Sequence, residues 1–374
     1  MEMSFDDELI FRLWIDRIDG IGLKTKKKLI HFFGNTRNIY YAEYSELLNV
    51  VNKDKACLIN KDKQLDMAKS LAAEYEKRNI KVTYPGHGLY PSKLKHIFDC
   101  PEILYIRGNA ELLNETLVGV VGARNPSIYG KEIADFLSRE LAENKIGIVS
   151  GLARGIDTAA HTGALKAGGT TIAVLGCGIN VTYPGENAEL FAKIERSGAI
   201  VSEYGLNVPP TPGQFPTRNR IISGLSDGVL VVEAKRKSGS LITADCALEQ
   251  GKQVYAVPGR MNDALSEGTN NLIKQGAVCV TDVKDILEDI FGVSYVDVDE
   301  KQESDYEKKR KKNMEMLTKE EGKVYECLSL EPVFIDDIAK QSGLGIRKTI
   351  SILYLLCDKG IIKQPLKGYY IVCI

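Results

Sequence analysis

Between residues 81 and 292, short apolar runs alternate with segments of helical periodicity, and this alternation constrains the fold more than any other feature. Several runs lack strict apolar–polar alternation, which is typical of strands covered on both faces of a parallel sheet. The candidate strands are Leu117–Val121, Ile146–Ser150, Thr171–Leu175, Ala199–Ser202, Val229–Glu233, Gln253–Val257 and Val278–Val280. Strands separated by helices predict an α/β domain with a doubly wound, Rossmann-like parallel sheet.

The segments on either side of this domain have different patterns. Residues 1–80 carry apolar positions at helical spacing, so we predict a helical domain there. Residues 293–313 are almost wholly polar, and we predict a charged linker. Residues 314–374 combine helical patterns with two short apolar runs at the end, which is typical of a winged helix.

Composition excludes several classes of protein. The formal net charge is −1 over 374 residues, so any nucleic-acid site must be a local patch. The eight cysteines form no CxxC pair and there are only four histidines, so we expect reduced, mostly buried thiols and no metal site. Apolar runs are too short to span a bilayer and the first residues are acidic, so we expect a soluble cytoplasmic protein without membrane contact.

The loop after the first candidate strand departs from the dinucleotide-binding fingerprint. It reads GxxGAR over Gly119–Arg124 in place of GxGxxG, and an arginine stands among the glycines. The second strand is followed by SGLARGID, without the acidic residue that would hold a ribose. We therefore predict that the protein uses no nicotinamide cofactor.

Glycine, serine and basic residues follow most of the candidate strands. In a parallel sheet these loops emerge at the carboxyl edge, where backbone amides and arginines favour an extended anion site. For any single loop, the alternative is a tight turn or a helix cap. The predicted site residues in these loops are Gly122, Ala123, Arg124, Ser150, Gly151, Arg154, Gly176, Gly178, Lys235, Ser238, Gly239 and Ser240.

No catalytic constellation accompanies these loops. The sequence has no GxSxG elbow, no GxxxxGK[ST] loop and no HExxH pair. Glu203 and Glu233 end two strands, where a carboxylate can act as an acid or accept hydrogen bonds from loop amides. His161 is interpreted as a packing histidine and Cys177 as a small buried hydrophobe. The edge of the sheet is therefore predicted to bind a ligand without transforming it.

The motifs resemble, in order, those of the DNA-processing protein A family, also called Smf. The resemblance covers Tyr90 to Ala277. Its motifs are GARNPSIYG, SGLARGIDTAAH, GCGINVTYPGEN, SEYG, FPTRNRIISGLSDGVLVVEA, SGSLITADCALEQG, VPG and GTNNLIKQGA. It implies an extended Rossmann-like domain with accessory domains at both ends, of which the N-terminal one resembles a sterile-alpha-motif fold.

The resemblance also implies a function. Family members bind single-stranded DNA, dimerise through the Rossmann-like domain and load the RecA recombinase during natural transformation, and they are not known as enzymes. We therefore expect a mediator that protects incoming single strands and loads RecA in transformation or related recombination. The segment Asn271–Val280 is the candidate for part of the dimer interface.

Individual residues follow from the same resemblance. The arginine of the family's G-[SA]-R loop contacts DNA and corresponds to Arg124. A basic residue often follows the family's Tyr-Pro, but here Gly185 follows, so that contact is lost or supplied from elsewhere. The FPxRNR motif contributes arginines that either line the same groove or brace the loop, and two aromatic residues are candidates for base stacking or for core packing. These further candidates are Tyr183, Phe215, Arg218, Asn219 and Arg220.

The two ends of the chain add weaker signals. Ile18–Asn35 resembles a helix-hairpin-helix element with Lys24, Lys26, Lys27 and Lys28 nearby, or it is a packing bundle that uses the same turn. In the C-terminal segment, Arg347, Lys348 and Ser351 are candidates for reading DNA. Residues 319–374 are nearly neutral, so a regulatory or protein contact is at least as well supported.

Two other functions remain open from the sequence. Related Rossmann-like proteins resemble hydrolases of nucleoside monophosphates, which carry a PGGxGT loop followed by a glutamate. Here the corresponding segment is SGSLITAD, without the paired glycines. A transcription factor that uses the winged helix is the other alternative, and deletion of residues 314–374 would distinguish it from a single-strand mediator.

Overall fold

A computed structural model describes residues 6–291 and 305–373 of the chain. The first part is helical, as the spacing of apolar residues predicts, and Asp6, Asn35 and Asn52 cap three of the helices through their side chains. The helices are α1 (Asp7–Asp16), α2 (Leu23–Phe33), α3 (Thr36–Tyr41), α4 (Tyr44–Leu47), α5 (Lys53–Lys61) and α6 (Leu65–Lys77).

Nine strands within residues 6–291 form one sheet, in the order β1-β2-β6-β5-β4-β3-β7-β8-β9. The strands are β1 (Lys81–Thr83), β2 (Leu104–Gly108), β3 (Leu117–Val121), β4 (Gly147–Ser150), β5 (Thr171–Gly178), β6 (Ala199–Tyr204), β7 (Gly228–Val231), β8 (Gln253–Ala256) and β9 (Val278–Cys279). The seven predicted strands are confirmed as β3 to β9, which run parallel. The antiparallel extension β1–β2 was not predicted.

Helices cover both faces of this sheet. They are α7 (Ile128–Glu143), α8 (Ile156–Lys166), α9 (Ala188–Ser197), α10 (Gln214–Leu225), α11 (Gly239–Glu249), α12 (Glu267–Lys274) and α13 (Lys284–Phe291). Successive residues of one strand enter opposite cores: Val120 packs in the core that includes α7 and α8, whereas Val121 packs in the core that includes α10 and α11.

The strand order reverses between β3 and β7. The chain moves outward from β3 through β4, β5 and β6, and then returns to place β7 on the other side of β3. The loops that follow β3 and β7 therefore lead to helices on different faces, and a crevice opens at the carboxyl edge between them.

The N-terminal helices share an apolar core with the sheet. Trp14 of α1 and Tyr75 of α6 belong to the same buried cluster as Leu175 of β5 and Ile200 of β6. The start of α2 lies close to α10 and α11, and together they line the cleft described below.

The C-terminal segment has its own buried cluster around Tyr325 and Leu353. Its elements are α14 (Asp305–Glu315), α15 (Lys319–Glu326), β10 (Val333–Phe334), α16 (Ile335–Ser342), α17 (Ile346–Asp358), β11 (Ile362–Leu366) and β12 (Tyr369–Val372). The three strands form an antiparallel sheet in the order β10-β12-β11. Ion pairs Arg260–Glu331 and Lys363–Glu132 connect this segment to the large sheet domain.

Helix α14 differs from the predicted linker over residues 293–313. Lysine, arginine and glutamate are good helix formers even without an apolar face. In addition, Asn313 donates a hydrogen bond to the Tyr325 hydroxyl at 3.1 Å, which ties the helix to the C-terminal cluster. The part of the predicted linker before Asp305 lies outside the described residues.

The cysteines differ from the expectation in their burial. All eight are free thiols, but only Cys177 is buried, Cys279 is exposed and the others are half-buried. In the described part of the chain, none of the helices combines the length and apolar character needed to cross a bilayer.

Candidate functional site

A groove with a volume of about 620 Å³ lies at the carboxyl edge of the sheet, beside the reversal of strand order. Its walls come from the loops after β3 and β7 and from the first turns of α10 and α11. Most of the predicted site residues line it, namely Gly122, Ala123, Arg124, Tyr183, Phe215, Arg218, Asn219, Lys235, Ser238, Gly239 and Ser240.

Four of the remaining predicted residues lie behind the groove and shape it. Ser150 is buried and donates its hydroxyl to the Val120 carbonyl oxygen at 2.6 Å. Added Cβ atoms at Gly151 and Gly176 would lie 2.4 Å from the Arg218 guanidinium and 2.8 Å from the Phe215 ring. A Cβ at Gly178 would lie 2.6 Å from a backbone oxygen. These three glycines therefore serve the packing of the loops. This agrees with the structural alternative given for single loops in the sequence analysis, and not with direct anion binding.

Arg218 forms the buried floor of the groove. Only 4% of this residue is exposed, and its Nη1 donates to the carbonyl oxygens of Gly151, at 2.8 Å, and Val174. Burial raises the pKa of the neighbouring Asp157 carboxyl, whereas the positive charge of Arg218 opposes that rise. Arg218 therefore both lines the groove and ties the loop after β4 to strand β5.

Arg220 and Arg154 lie apart from the groove. The Nη2 of Arg220 donates to both carboxylate oxygens of Glu203, at 2.7 and 2.6 Å, and the residue faces a different cleft. Burial raises the pKa of the Glu203 carboxyl, and the charge of Arg220 counteracts this. Exposed Arg154 pairs with Glu186 at 2.8 Å.

Three exposed cations stand around the groove, and they are Arg124, Lys235 and Lys237. Their neighbour Arg236 does not line the groove and has Glu267 at 4.0 Å. Lys237 was missing from the predicted set, although the basic run at 235–237 in the sequence marks it. The lining residues include these cations and Arg218 against a single carboxylate, Asp157, so the groove is locally positive in a nearly neutral chain.

Two aromatic rings lie side by side at the groove. The ring centroids of Tyr183 and Phe215 are 5.7 Å apart with the planes inclined by 32°, and Tyr183 is 46% exposed. The Arg124 guanidinium lies 5.4 Å above the Phe215 ring centroid. Because Phe215 packs closely against Gly176, the ring is supported from below while the groove side stays accessible.

The N-terminus of α7 is closed by the protein itself. The Glu233 carboxylate accepts hydrogen bonds from the Ser127 amide at 2.9 Å and from its hydroxyl at 2.5 Å. A Cβ at Gly130 would lie 2.3 Å from the Glu233 carboxyl carbon, so a glycine is required there. In dinucleotide-binding Rossmann domains this helix end binds the pyrophosphate.

The N-terminus of α11, in contrast, opens into the groove. Ser238 caps the helix, and the next two residues, Gly239 and Ser240, also line the groove. The environment of Gly239 is open, since nothing lies within 4 Å of an added Cβ. The Ser238 hydroxyl accepts from the Ser240 amide at 3.4 Å, and the partial positive charge of the helix end still favours an anion. The groove therefore combines a positive helix end with exposed cations.

His161 and Cys177 are both buried. Burial lowers the pKa of His161 to about 3, and its Nδ1 lies 2.7 Å from the Thr171 hydroxyl. Burial raises the pKa of the Cys177 thiol to about 11. Over residues 6–291 and 305–373, no group of three or more His, Cys, Asp or Glu side chains is arranged to hold a metal ion.

Comparison with curated proteins identifies relatives of this chain. Protein Smf of Escherichia coli (strain K12) is 49% identical over 209 residues, which cover 55% of this chain and 56% of the relative. The DNA processing protein DprA of Bacillus subtilis (strain 168) is 41% identical over 252 residues, which cover 66% of this chain and 84% of the relative. The chain thus matches just over half the length of the Escherichia coli relative.

Two solved structures share the fold. The X-ray structure of DNA processing protein A from Streptococcus pneumoniae has a TM-score of 0.65 and 36% identity, and the match covers 76% of this chain and 98% of that chain. A structure of DNA processing protein A from Helicobacter pylori, which concerns the single-stranded DNA binding mode of that protein, has a TM-score of 0.52 and 32% identity. That match covers 57% of this chain and 96% of that chain.

A family model agrees with these relatives and places the match on the large sheet domain. The model of DNA recombination-mediator protein A matches residues 81–291, which are more than half of the chain. These residues contain the nine-stranded sheet and every residue that lines the groove. The protein therefore belongs to the DNA recombination-mediator protein A family.

Proposed function

We propose that this protein binds single-stranded DNA in the groove at the carboxyl edge of its sheet and acts as a recombination mediator. The observation that carries the proposal is the combination of accessible aromatic rings, exposed cations and an open helix N-terminus in one groove. Single-strand sites use this combination, because bases stack on aromatic rings while cations follow the phosphates.

The geometry assigns a role to each part of the groove. The rings of Tyr183 and Phe215 would stack bases, and the Arg124 guanidinium above Phe215 would contact the adjoining phosphate. Lys235, Lys237 and the first amides of α11 line the same groove and would hold further phosphates. Stacking and phosphate contacts do not depend on base identity, so we expect binding through them to tolerate any sequence.

DNA binding without catalysis is better supported than hydrolysis of a nucleotide. The phosphate position of a nucleotide-binding Rossmann domain is taken by the Glu233 carboxylate. The one carboxylate that lines the groove, Asp157, is buried and accepts hydrogen bonds from two backbone amides, at 3.1 and 3.3 Å. A nucleotide hydrolase would need an acid or base that is free to reach its substrate.

The flanking segments are proposed as accessory domains. Residues 1–80 would form a sterile-alpha-motif-like domain with a helix-hairpin-helix turn, and residues 314–374 a winged helix with β11 and β12 as its wing. On α17, Lys348 pairs with Glu320, whereas Ile346, Ile350 and Tyr354 form an exposed apolar stripe at helical spacing. This face favours a protein contact over DNA reading.

The proposed partners are the RecA recombinase and a second copy of this chain. Both are proposed from the resemblance to the family, in a cytoplasmic setting where incoming single strands would be protected before pairing. The segment Asn271–Val280 includes β9, which lies at the edge of the large sheet and pairs only with β8 among the described strands. An edge strand of this kind is suited to an interface between copies.

Equilibrium binding of an unstructured oligonucleotide and of a matched duplex, across a series of salt concentrations, tests the proposal. We expect clear preference for the single strand and a steep loss of affinity with salt, since several phosphates are contacted. The chain without residues 314–374 should retain this affinity, which a transcription factor would lose. Absence of binding to either nucleic acid by the folded protein would contradict the proposal, and nucleotides would then be tested.

A further inference from the structure

A second cleft, of about 880 Å³, lies between the N-terminal helices and the outer side of α10 and α11. It is lined on one side by the Gly20–Gly22 turn and the first turn of α2, and on the other by residues of α10 that include Arg220. Pro216 lines both this cleft and the groove, so the two are contiguous across the start of α10.

The start of α2 is prepared for an anion. The helix begins at Gly22 without a side-chain cap, so its first amides are not satisfied by a neighbouring side chain. Lys24 is exposed and lines the cleft. Lys55 also lines the cleft, and its Nζ donates to the Thr25 hydroxyl at 2.8 Å, which holds a second cation beside the same turn.

The other lysines of α2 have different roles. Lys26 pairs with Asp16. Lys27 donates to the Phe98 carbonyl oxygen at 3.1 Å and to Asp99 at 3.4 Å, and so fixes the Phe98 loop against α2. Lys28 is exposed but does not line the cleft. Of the four lysines named from the sequence, Lys24 is therefore the one that lines the cleft.

Arg220 provides an independent sign that the cleft accepts a ligand. The residue is only 9% exposed, and its Nη2 is engaged by Glu203. Its Nη1 is buried and has no hydrogen-bond partner within the described residues. Buried polar atoms are nearly always paired, so an unpaired guanidinium nitrogen in a residue that lines the cleft indicates an oxygen-bearing ligand.

An aromatic side chain completes the set. Phe98 lines the cleft and is 96% exposed, so its ring is accessible to a flat partner such as a base. His96 lines the cleft as well. Two carboxylates, Asp99 and Glu249, are also present, and the charge of Asp99 is offset by Lys27. The cleft thus repeats the chemistry of the groove, with amides, cations and a flat ring.

We propose that this cleft is a second subsite for the same single DNA strand, which passes from the groove over Pro216 and places a phosphate at the start of α2 and a base on Phe98. The proposal rests on the proposed function, because it extends the path of that strand. It predicts that affinity increases a second time once an oligonucleotide is long enough to span both sites.

A length series of oligothymidines, from about 4 to about 30 nucleotides, tests this with the full chain. The variants are Phe98→Ala and Lys24→Glu. The matched controls are Met261→Ala, another residue with 95% exposure, and Lys28→Glu on the same helix. We expect Phe98→Ala and Lys24→Glu to weaken binding of long oligomers on the order of tenfold, and short ones hardly at all. The controls should behave as wild type.

The outcomes separate this proposal from the proposed function. If the wild-type protein binds short and long oligomers but both variants match it at every length, the second subsite is wrong and the groove stands. If the wild-type protein binds no oligomer, the proposed function itself fails. Photocrosslinking of an iodouracil oligonucleotide, followed by mass spectrometry, should label the Phe98 peptide, and labelling confined to the groove would also overturn the subsite.

Discussion

Helices α7 and α11 begin at the same edge of the sheet, on either side of the reversal of strand order, but their N-termini are in opposite states. The first is closed by Glu233, whose carboxylate accepts from the amide and hydroxyl of Ser127. The second opens into the groove at Gly239. Each helix end carries a partial positive charge, so each would attract an anion if left open.

This difference shows how one sheet topology can change its ligand. A dinucleotide domain leaves the first helix open and places a single pyrophosphate there. Here that position is satisfied internally, and the proposed anion site lies at the helix after β7, where Lys235 and Lys237 stand nearby. A site displaced to the open side of the crevice suits an extended polyanion better than a compact nucleotide.

The largest effect is expected on stability, from removing the Glu233 carboxylate that closes the N-terminus of α7. Glu233→Ala removes a buried acceptor, leaves the Ser127 amide and hydroxyl without this partner and should lower the free energy of unfolding by about 2 kcal/mol, measured in urea. Glu189→Ala, in an exposed ion pair with Lys193, should change stability little. The affinity of folded Glu233→Ala for an oligonucleotide should match wild type. Wild-type stability of this variant would show that closure is not structural.

The next largest effect is expected on DNA affinity, from placing a carboxylate at the open N-terminus of α11. Gly239→Asp introduces a carboxylate at the first residue of α11, where space is available. The carboxylate would occupy the free amides and repel phosphate, so single-strand affinity should fall about 30-fold in fluorescence anisotropy. Gly239→Asn has the same shape without the charge and should bind nearly as wild type. Equal losses in both variants would point to shape instead of charge.

A smaller loss is expected at the cation above the ring. Arg124→Ala should weaken single-strand binding about tenfold and reduce the slope of log affinity against log salt by about 0.7. Its thermal unfolding should be unchanged because the residue is exposed. Arg196→Ala, an exposed arginine on α9, serves as the control. An unchanged salt slope would remove Arg124 from the phosphate contacts.

The smallest effect separates two neighbouring cations. Lys237 lines the groove whereas Arg236 lies near Glu267, so Lys237→Ala should weaken binding about threefold and Arg236→Ala should not. Both titrations are compared at the same low salt concentration. Equal losses would mean that the loop acts as a diffuse charge without a defined orientation.

The sheet and the position of the groove could be predicted because apolar runs and loop glycines are local signals. The strands from Leu117 to Ala256 and the loops after them follow from runs of four to eight residues. The antiparallel strands Lys81–Thr83 and Leu104–Gly108 were not predicted, because they precede the alternation of strands and helices that marks the parallel sheet. The Glu233–Ser127 contact joins residues 106 positions apart, and no local pattern specifies it.

The different positions of the two arginines of the FPTRNR motif could not be predicted without knowing that the motif is helical. Successive residues in a helix point about 100° apart, so residues 218 and 220 face different sides once α10 is known. Phe215, Arg218 and Asn219 face the groove at helical spacing, whereas Thr217 and Arg220 face the cleft. The spacing is present in the sequence, but it orients the side chains only once the motif is known to be helical.

Helix α10 also has a mechanical consequence. It spans 12 residues, about 18 Å, and carries side chains of both the groove and the cleft. Its far end is anchored by Lys252, whose Nζ donates to the carbonyl oxygens of Ser223 and Gly224 at 2.8 and 2.7 Å. A DNA strand pulled along this helix would transmit its tension to a rigid element that is fixed to the sheet. The force would then act on the folded core and not on the loops around the groove.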